Sequence, residues 1–189
     1  MHLITQKLTF ETISEIISEN AKLVLSAEAK KNILRCREYL DKKMVSQKEP
    51  IYGINTGFGS LCDVIIPNED LEKLQRNLVM SHACGTGDEV PNDIVKLMLL
   101  LKIQALSYGK SGVQLQTVER LVDFFNNDIL PVVYQQGSLG ASGDLAPLAH
   151  MSLPLLGLGE VFYNGKKQAA ADVLESLNLQ PVHLKSKEG

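Results

Sequence analysis

Between Ile94 and Tyr108 the chain is apolar in nearly every direction, interrupted by Lys96, Lys102 and Gln104. A helix with apolar residues all round cannot lie on a surface, so other elements must pack about it. The run is also too short and too interrupted to cross a bilayer, which takes about 20 apolar residues. It therefore reads as a buried core helix, opened by Asn92 or Asp93 and ended by Gly109 at the C′ position.

The remaining patterning is also mainly helical. Thr12-Ile13-Ser14-Glu15 resembles a capping box, with Ile13, Ile16 and Ile17 on one face. Ser26 can cap a second helix with Ala29, Ile33, Leu34 and Leu40 inward and Lys30, Lys31, Arg35 and Glu38 outward. A third helix is expected from about Asn68 to His82 with Leu74 and Leu78 in the core, and a further one from Val113 to Asn127. Asp144 is placed to cap another, with Pro147 in its first turn, and a short last helix covers about Ala170 to Leu177. The one firm strand signal is Glu160 to Tyr163, followed by Asn164-Gly165, a two-residue type I′ hairpin turn. The fold class is thus mainly α with a small β-hairpin, in one domain over residues 1–189.

Composition narrows the function classes. A net charge of -3, with Lys and Arg mixed among Asp and Glu, leaves no basic footprint for nucleic acid. Cys36, Cys62 and Cys84 are odd in number and far apart, which suits reduced thiols and a cytoplasmic setting better than a disulfide framework or a zinc site. The N-terminus has no long apolar segment of the signal-peptide kind, and no membrane association is expected. Nucleotide-binding glycine loops, H-E-x-x-H and G-x-S-x-G are absent.

Three unusual segments remain. The first is Gly137-Ser138-Leu139-Gly140-Ala141-Ser142-Gly143-Asp144-Leu145-Ala146-Pro147-Leu148. A tight loop before a helix would explain its glycines and Asp144, but not Ala, Ser and Gly standing together in that order. The second, Tyr52-Gly53-Ile54-Asn55-Thr56-Gly57-Phe58-Gly59, is too rich in glycine for a regular helix and is turn chemistry on its own. The third, Asn77-Leu78-Val79-Met80-Ser81-His82-Ala83-Cys84-Gly85, places a histidine near a helix end. His2, His150 and His183 read as ordinary solvated or hydrogen-bonded histidines. His150 is placed to orient something near the loop, and the sequence does not decide whether it does.

These segments resemble the ammonia-lyases and aminomutases that build a methylidene-imidazolone (MIO) cofactor from their own backbone. The resemblance covers essentially the whole chain, from Leu8-Thr9 to Lys187-Glu188-Gly189. It implies the N-terminal part of the fumarase/aspartase-like superfamily fold. It further implies that the Gly143 nitrogen attacks the Ala141 carbonyl, closing a five-membered ring. Two dehydrations then leave Ser142 as an exocyclic methylidene. The product is an electrophile, which no natural side chain supplies, and no metal takes part.

By the same resemblance Tyr52 is the base that removes the β-proton. A free phenol ionises near pH 10, so that role implies donors or positive charge close by. At the third segment, phenylalanine-specific members place Phe-Leu and tyrosine-specific members His-Leu. Ser81-His82 resembles the histidine-specific version, with His82 hydrogen-bonded to the substrate imidazole. The implied reaction converts L-histidine to trans-urocanate and ammonia. An aminomutase, or a tyrosine or phenylalanine lyase, is the alternative within the family. A non-catalytic binding relative that keeps the loop only as a helix entry is the alternative outside it.

Family members run to several hundred residues and form homotetramers whose sites draw on several subunits. An asparagine that contacts the MIO, a glutamine, a second tyrosine, an arginine for the substrate carboxylate and a glutamate all come from later in the chain. The expectation is accordingly an N-terminal domain cut off before the central helical bundle, and inactive by itself.

Overall fold

The computed structural model describes residues 1–5, 7–46 and 49–189. A short parallel pair, β1 (His2–Ile4) and β2 (Leu23–Leu25), encloses helix α1 (Phe10–Ser18). The cap of α1 lies three residues before the expected one, because Thr9 is the N-cap and its hydroxyl accepts the Thr12 N–H at 3.3 Å. Thr12 is thus the capped residue and not the cap.

Helix α2 (Ala27–Ser46) is capped by Ser26, whose hydroxyl accepts the Ala29 N–H at 3.1 Å, as expected. Its buried face is Ala29, Ile33, Arg37 and Leu40, and Leu34 is exposed. The inward face thus includes Arg37 and not the expected Leu34. Arg37 can be buried because its guanidinium donates to Gly112 O and Ser186 O at 2.9 and 2.8 Å and to the Asp41 carboxylate. Helix α3 (Leu71–His82) follows a short 3₁₀ turn at Asn68–Asp70. It buries Leu71, Gln75 and Val79; Leu74 and Leu78, expected in the core, are only half-buried.

After β3 (Thr86–Glu89) comes the apolar helix α4 (Asn92–Ser107). It fills the core with Val95, Leu99, Leu100 and Ile103, all fully buried, against helix α5 (Leu115–Asn126). Burial is one-sided, however: Ile94, Leu101, Ala105 and Tyr108 form an exposed row along the other side. Gly109 ends the helix at φ +64°, where a Cβ would come within 2.4 Å of the Asn32 backbone on α2. That close approach lets α2 and α4 pack backbone to backbone.

Helix α5 contributes Val118, Leu121, Phe124 and Phe125 to the core. Strand β4 (Leu130–Pro131) pairs antiparallel with β6 (Glu160–Tyr163), which pairs with β7 (Lys166–Ala169) through the expected Asn164-Gly165 turn, both residues at positive φ. Strand β5 (Tyr134–Gln136) pairs antiparallel with β3 across an irregular register. Helix α6 (Leu145–Ser152) follows the glycine-rich loop, and α7 (Ala170–Ser176) closes over the hairpin. The hairpin was legible in the sequence. The strands β1 to β5 are two to four residues each, too short for a period-2 signal.

Candidate active site

The loop between β5 and α6 is a compact, exposed reversal. Residues Gly140–Ser142 make a 3₁₀ turn, and Gly143 (φ +94°) and Asp144 (φ +57°) follow in the left-handed region. Two consecutive left-handed residues reverse the chain sharply into α6, which Gly143 tolerates without strain and Asp144 does not. The Leu139 carbonyl accepts three donors: Ser142 N–H at 2.9 Å, Ser142 Oγ at 2.7 Å and Asp144 N–H at 3.3 Å. Gly143 N–H donates to Gly140 O at 3.0 Å. Asp144 holds the N-cap position, but its carboxylate accepts the Ser138 hydroxyl instead of a helix N–H, so the expected side-chain cap is not made.

Ala141 and Gly143 flank Ser142 in this turn. A Cβ at Gly140 or Gly143 would meet nothing within 4 Å, so the turn is not packed against other elements there. The Ser142 hydroxyl is tethered only to its own turn.

His82 sits at the end of α3, half-buried. Its Nδ1 lies 2.8 Å from Leu78 O and 3.1 Å from Ser81 Oγ. A carbonyl only accepts, so Nδ1 carries a proton, and in the neutral ring Nε2 is then the acceptor. Nε2 has no hydrogen-bond partner among the described residues.

Tyr52 lies on the second glycine-rich segment, where Phe58 packs edge-on against its ring at 5.9 Å. The segment is tied into itself. Asn55 Oδ1 accepts Ile51 N–H at 2.6 Å, and the fully buried Thr56 accepts Gly53 N–H at 3.2 Å and donates to Gly57 O at 2.9 Å. Gly57 is needed for close approach, since a Cβ there would fall 2.6 Å from Leu61 Cβ.

Tyr52 and His82 line one cavity of about 440 Å³, with Phe58, Leu78, Leu145 and Lys102 also in its wall. Leu145, the first residue of α6, brings the base of the loop to this cavity; Ala141, Ser142 and Gly143 stay outside its lining. A second cavity of about 370 Å³ shares Lys102, Ser152, Glu188 and Gly189 with the first. Lys102 is half-buried between them, without a hydrogen-bonded or ion-paired partner among the described residues, and burial pushes its ammonium below the usual lysine range. It was visible in the sequence as a charge inside an apolar helix, although its meeting with Tyr52 was not.

The C-terminal segment forms the far wall, an arrangement with no sequence signal. Glu188 accepts from Gln114 N–H at 2.9 Å, Gln114 Nε2 at 2.6 Å, Thr117 Oγ1 at 2.6 Å and Lys185 N–H at 2.7 Å. Ser186 Oγ donates to Ile54 O, and Gly189 N–H donates to the buried Gln75 Oε1 at 2.7 Å. One short strand of chain thereby fastens the Tyr52 segment, α3 and α5 to each other.

Comparison with known proteins agrees with this geometry. Residues 8–189 match the aromatic amino acid lyase family. Histidine ammonia-lyase of Symbiobacterium thermophilum is 48% identical over 182 residues, which are 96% of this chain and 36% of that protein. The crystal structure of histidine ammonia-lyase from Trypanosoma cruzi superposes with a TM-score of 0.88 at 35% identity, over all of this chain and 36% of that one. Ergothionase from Treponema denticola, solved with desmethyl-ergothioneine sulfonic acid, gives a TM-score of 0.93 at 28% identity over 99% of this chain and 37% of that one. These structures have the fumarase/aspartase-like fold, as expected from the sequence. The chain spans about a third of the length of the relatives it matches.

Proposed function

Because the chain belongs to the aromatic amino acid lyase family, we propose that it is the N-terminal domain of a histidine ammonia-lyase that converts L-histidine to trans-urocanate and ammonia. The family is generally MIO-dependent. In this reading Ala141, Ser142 and Gly143 cyclise and lose two waters to form the MIO. That group supplies an electrophilic carbon that makes the substrate's amino group able to leave.

The chain's own residues do the rest. His82 Nε2 accepts the imidazole N–H of the substrate, and the Leu78 carbonyl fixes the tautomer that allows it. Tyr52 takes the β-proton onto its phenolic oxygen as the Cα–N bond breaks, so the electron pair of the C–H bond becomes the new double bond. The Tyr52 segment is held to the site by Ser186. The observation that carries the reading is the single cavity shared by Tyr52 and an acceptor-poised His82. The active enzyme in this reading is a cytoplasmic homotetramer, whose later helices supply the groups for the substrate carboxylate.

Urocanate formation by the full-length protein tests the proposal. Histidine should be consumed with release of one urocanate and one ammonia, and tyrosine and phenylalanine should be poor substrates. A β-amino acid product, or preference for phenylalanine, would overturn it.

A further inference from the structure

The proposed reaction leaves one buried histidine without a task. His150 on α6 is 8% exposed. Its Nε2 accepts the Gly85 N–H at 2.9 Å, and since an amide N–H can only donate, the ring there must be neutral with its proton on Nδ1. Tyr134 of β5 packs edge-on against the ring at 5.1 Å and is the titratable group in contact with it. Burial alone, with no charge from the surrounding elements, pushes the imidazole below the usual histidine range.

Three parts of the site converge on this ring. Gly85 lies three residues after His82, at the exit of α3. Strand β5, paired with β3 through Thr86 and Gln136, leads directly into the loop at Gly137. Helix α6 leaves that loop and carries His150 itself. The packing is close throughout. A Cβ on Gly85 would come within 3.1 Å of Gln136 O and of the His150 ring, and one on Gly137 within 3.0 Å of Gly85 Cα. Two glycines and one neutral imidazole thus hold the end of the His82 segment against both ends of the 137–145 loop.

We propose that His150 is a positioning residue, a neutral latch that fixes where His82 stands relative to the Ala141-Ser142-Gly143 loop. The catalytic part of this role rests on the histidine-lyase reading; the latch itself does not. Protonation at Nε2 would remove the acceptor and place two donors face to face, so the latch holds at neutral and higher pH and releases as pH falls through the lowered pKa of the ring.

Two variants of the full-length protein test it. His150→Leu keeps the bulk and removes the acceptor; His150→Gln offers an amide oxygen that accepts Gly85 N–H and does not titrate. Backbone hydrogen exchange, corrected for its intrinsic pH dependence, should show the 83–89 and 134–145 segments of the wild type keeping protection at neutral pH and losing it together as pH falls below the usual histidine range. His150→Gln should keep that protection as pH falls, and His150→Leu should lack it at every pH while the β6–β7 hairpin stays protected. With histidine as substrate, His150→Leu should lower kcat/KM by about 10- to 100-fold, mostly in kcat, with His150→Gln recovering most of it. The latch is overturned if the two segments lose protection separately, if His150→Gln follows the wild-type pH dependence, or if the two variants behave alike. Should His150→Leu unfold, the pH-independent protection of His150→Gln decides alone. A wild type that makes no urocanate overturns the lyase reading, and the exchange data still judge the latch.

Discussion

Ser142, His82 and Arg37 each depend on one or two atoms. Ser142 offers the hydroxyl that the proposed cofactor requires, and that hydroxyl donates to Leu139 O of its own turn. Ser142→Ala in the full-length protein should lower urocanate formation about a thousandfold or more, and its intact mass should lack the loss of two waters expected of the wild type. His82 offers one acceptor. His82→Leu should reduce kcat/KM for histidine by about 10- to 100-fold, because the imidazole N–H would be buried without a partner. Steady-state kinetics with histidine checks this, and an unchanged value would remove His82 from the binding site. Arg37 matters through burial: Arg37→Met fills the volume but strands the Gly112 and Ser186 carbonyls, and should cost about 3 kcal/mol in urea unfolding. Its partner Asp41 is held below the usual carboxylate range, chiefly by its hydrogen bond to Arg37. The stabilisation from that pair is therefore full above the ordinary carboxylate pKa and is lost as pH falls through the lowered one. It is small, because Asp41 is half-exposed.

At the scale of elements, the decisive features are where helices stop and what they approach. Helix α4 ends on a glycine packed against α2, so Gly109→Ala must strain a left-handed backbone and also push against Asn32. It should destabilise by about 3 kcal/mol. Gly165 in the hairpin turn has a similar φ but open space around it, so Gly165→Ala should cost only about 1 kcal/mol. Thermal unfolding of the two variants side by side measures the difference, and equal shifts would mean that the α2–α4 contact is looser than described. The glycine at the helix end and the Asn-Gly turn were both legible, because local backbone geometry demands those residues. Which of the two glycines also serves packing was not legible, since Asn32 is 77 positions away in the chain.

At the scale of the whole molecule, the described residues hold a main core and a small second cluster of Val79, Val182 and Leu184. The row Ile94, Leu101, Ala105 and Tyr108 remains uncovered on α4, and the loop that carries Ser142 stands in the open. An open loop leaves water free to reach the reacting groups, which an electrophile of this kind does not tolerate. The 189-residue chain alone should accordingly show no measurable urocanate release from histidine. Turnover by the isolated chain would show that the site needs nothing beyond it.

The loop with Ala141-Ser142-Gly143 carries the resemblance that implies the reaction class, and Ser81-His82 carries the one that implies the substrate, because both lie in contiguous stretches of sequence. The helices were legible for a similar reason, since their periodicity is local. Some local readings failed where a tertiary partner changed the outcome. Arg37 is buried because its guanidinium reaches carbonyls of distant segments, while Leu34 stays exposed, and the Asp144 carboxylate accepts the Ser138 hydroxyl instead of capping α6. Only the tertiary structure put Tyr52, His82, Lys102 and Glu188 around one cavity, tied Ser186 to the Tyr52 segment, and set His150 at the junction of the His82 segment and the loop. Contacts such as these join residues tens to more than a hundred positions apart, and burial, which no local pattern encodes, decides which of them form.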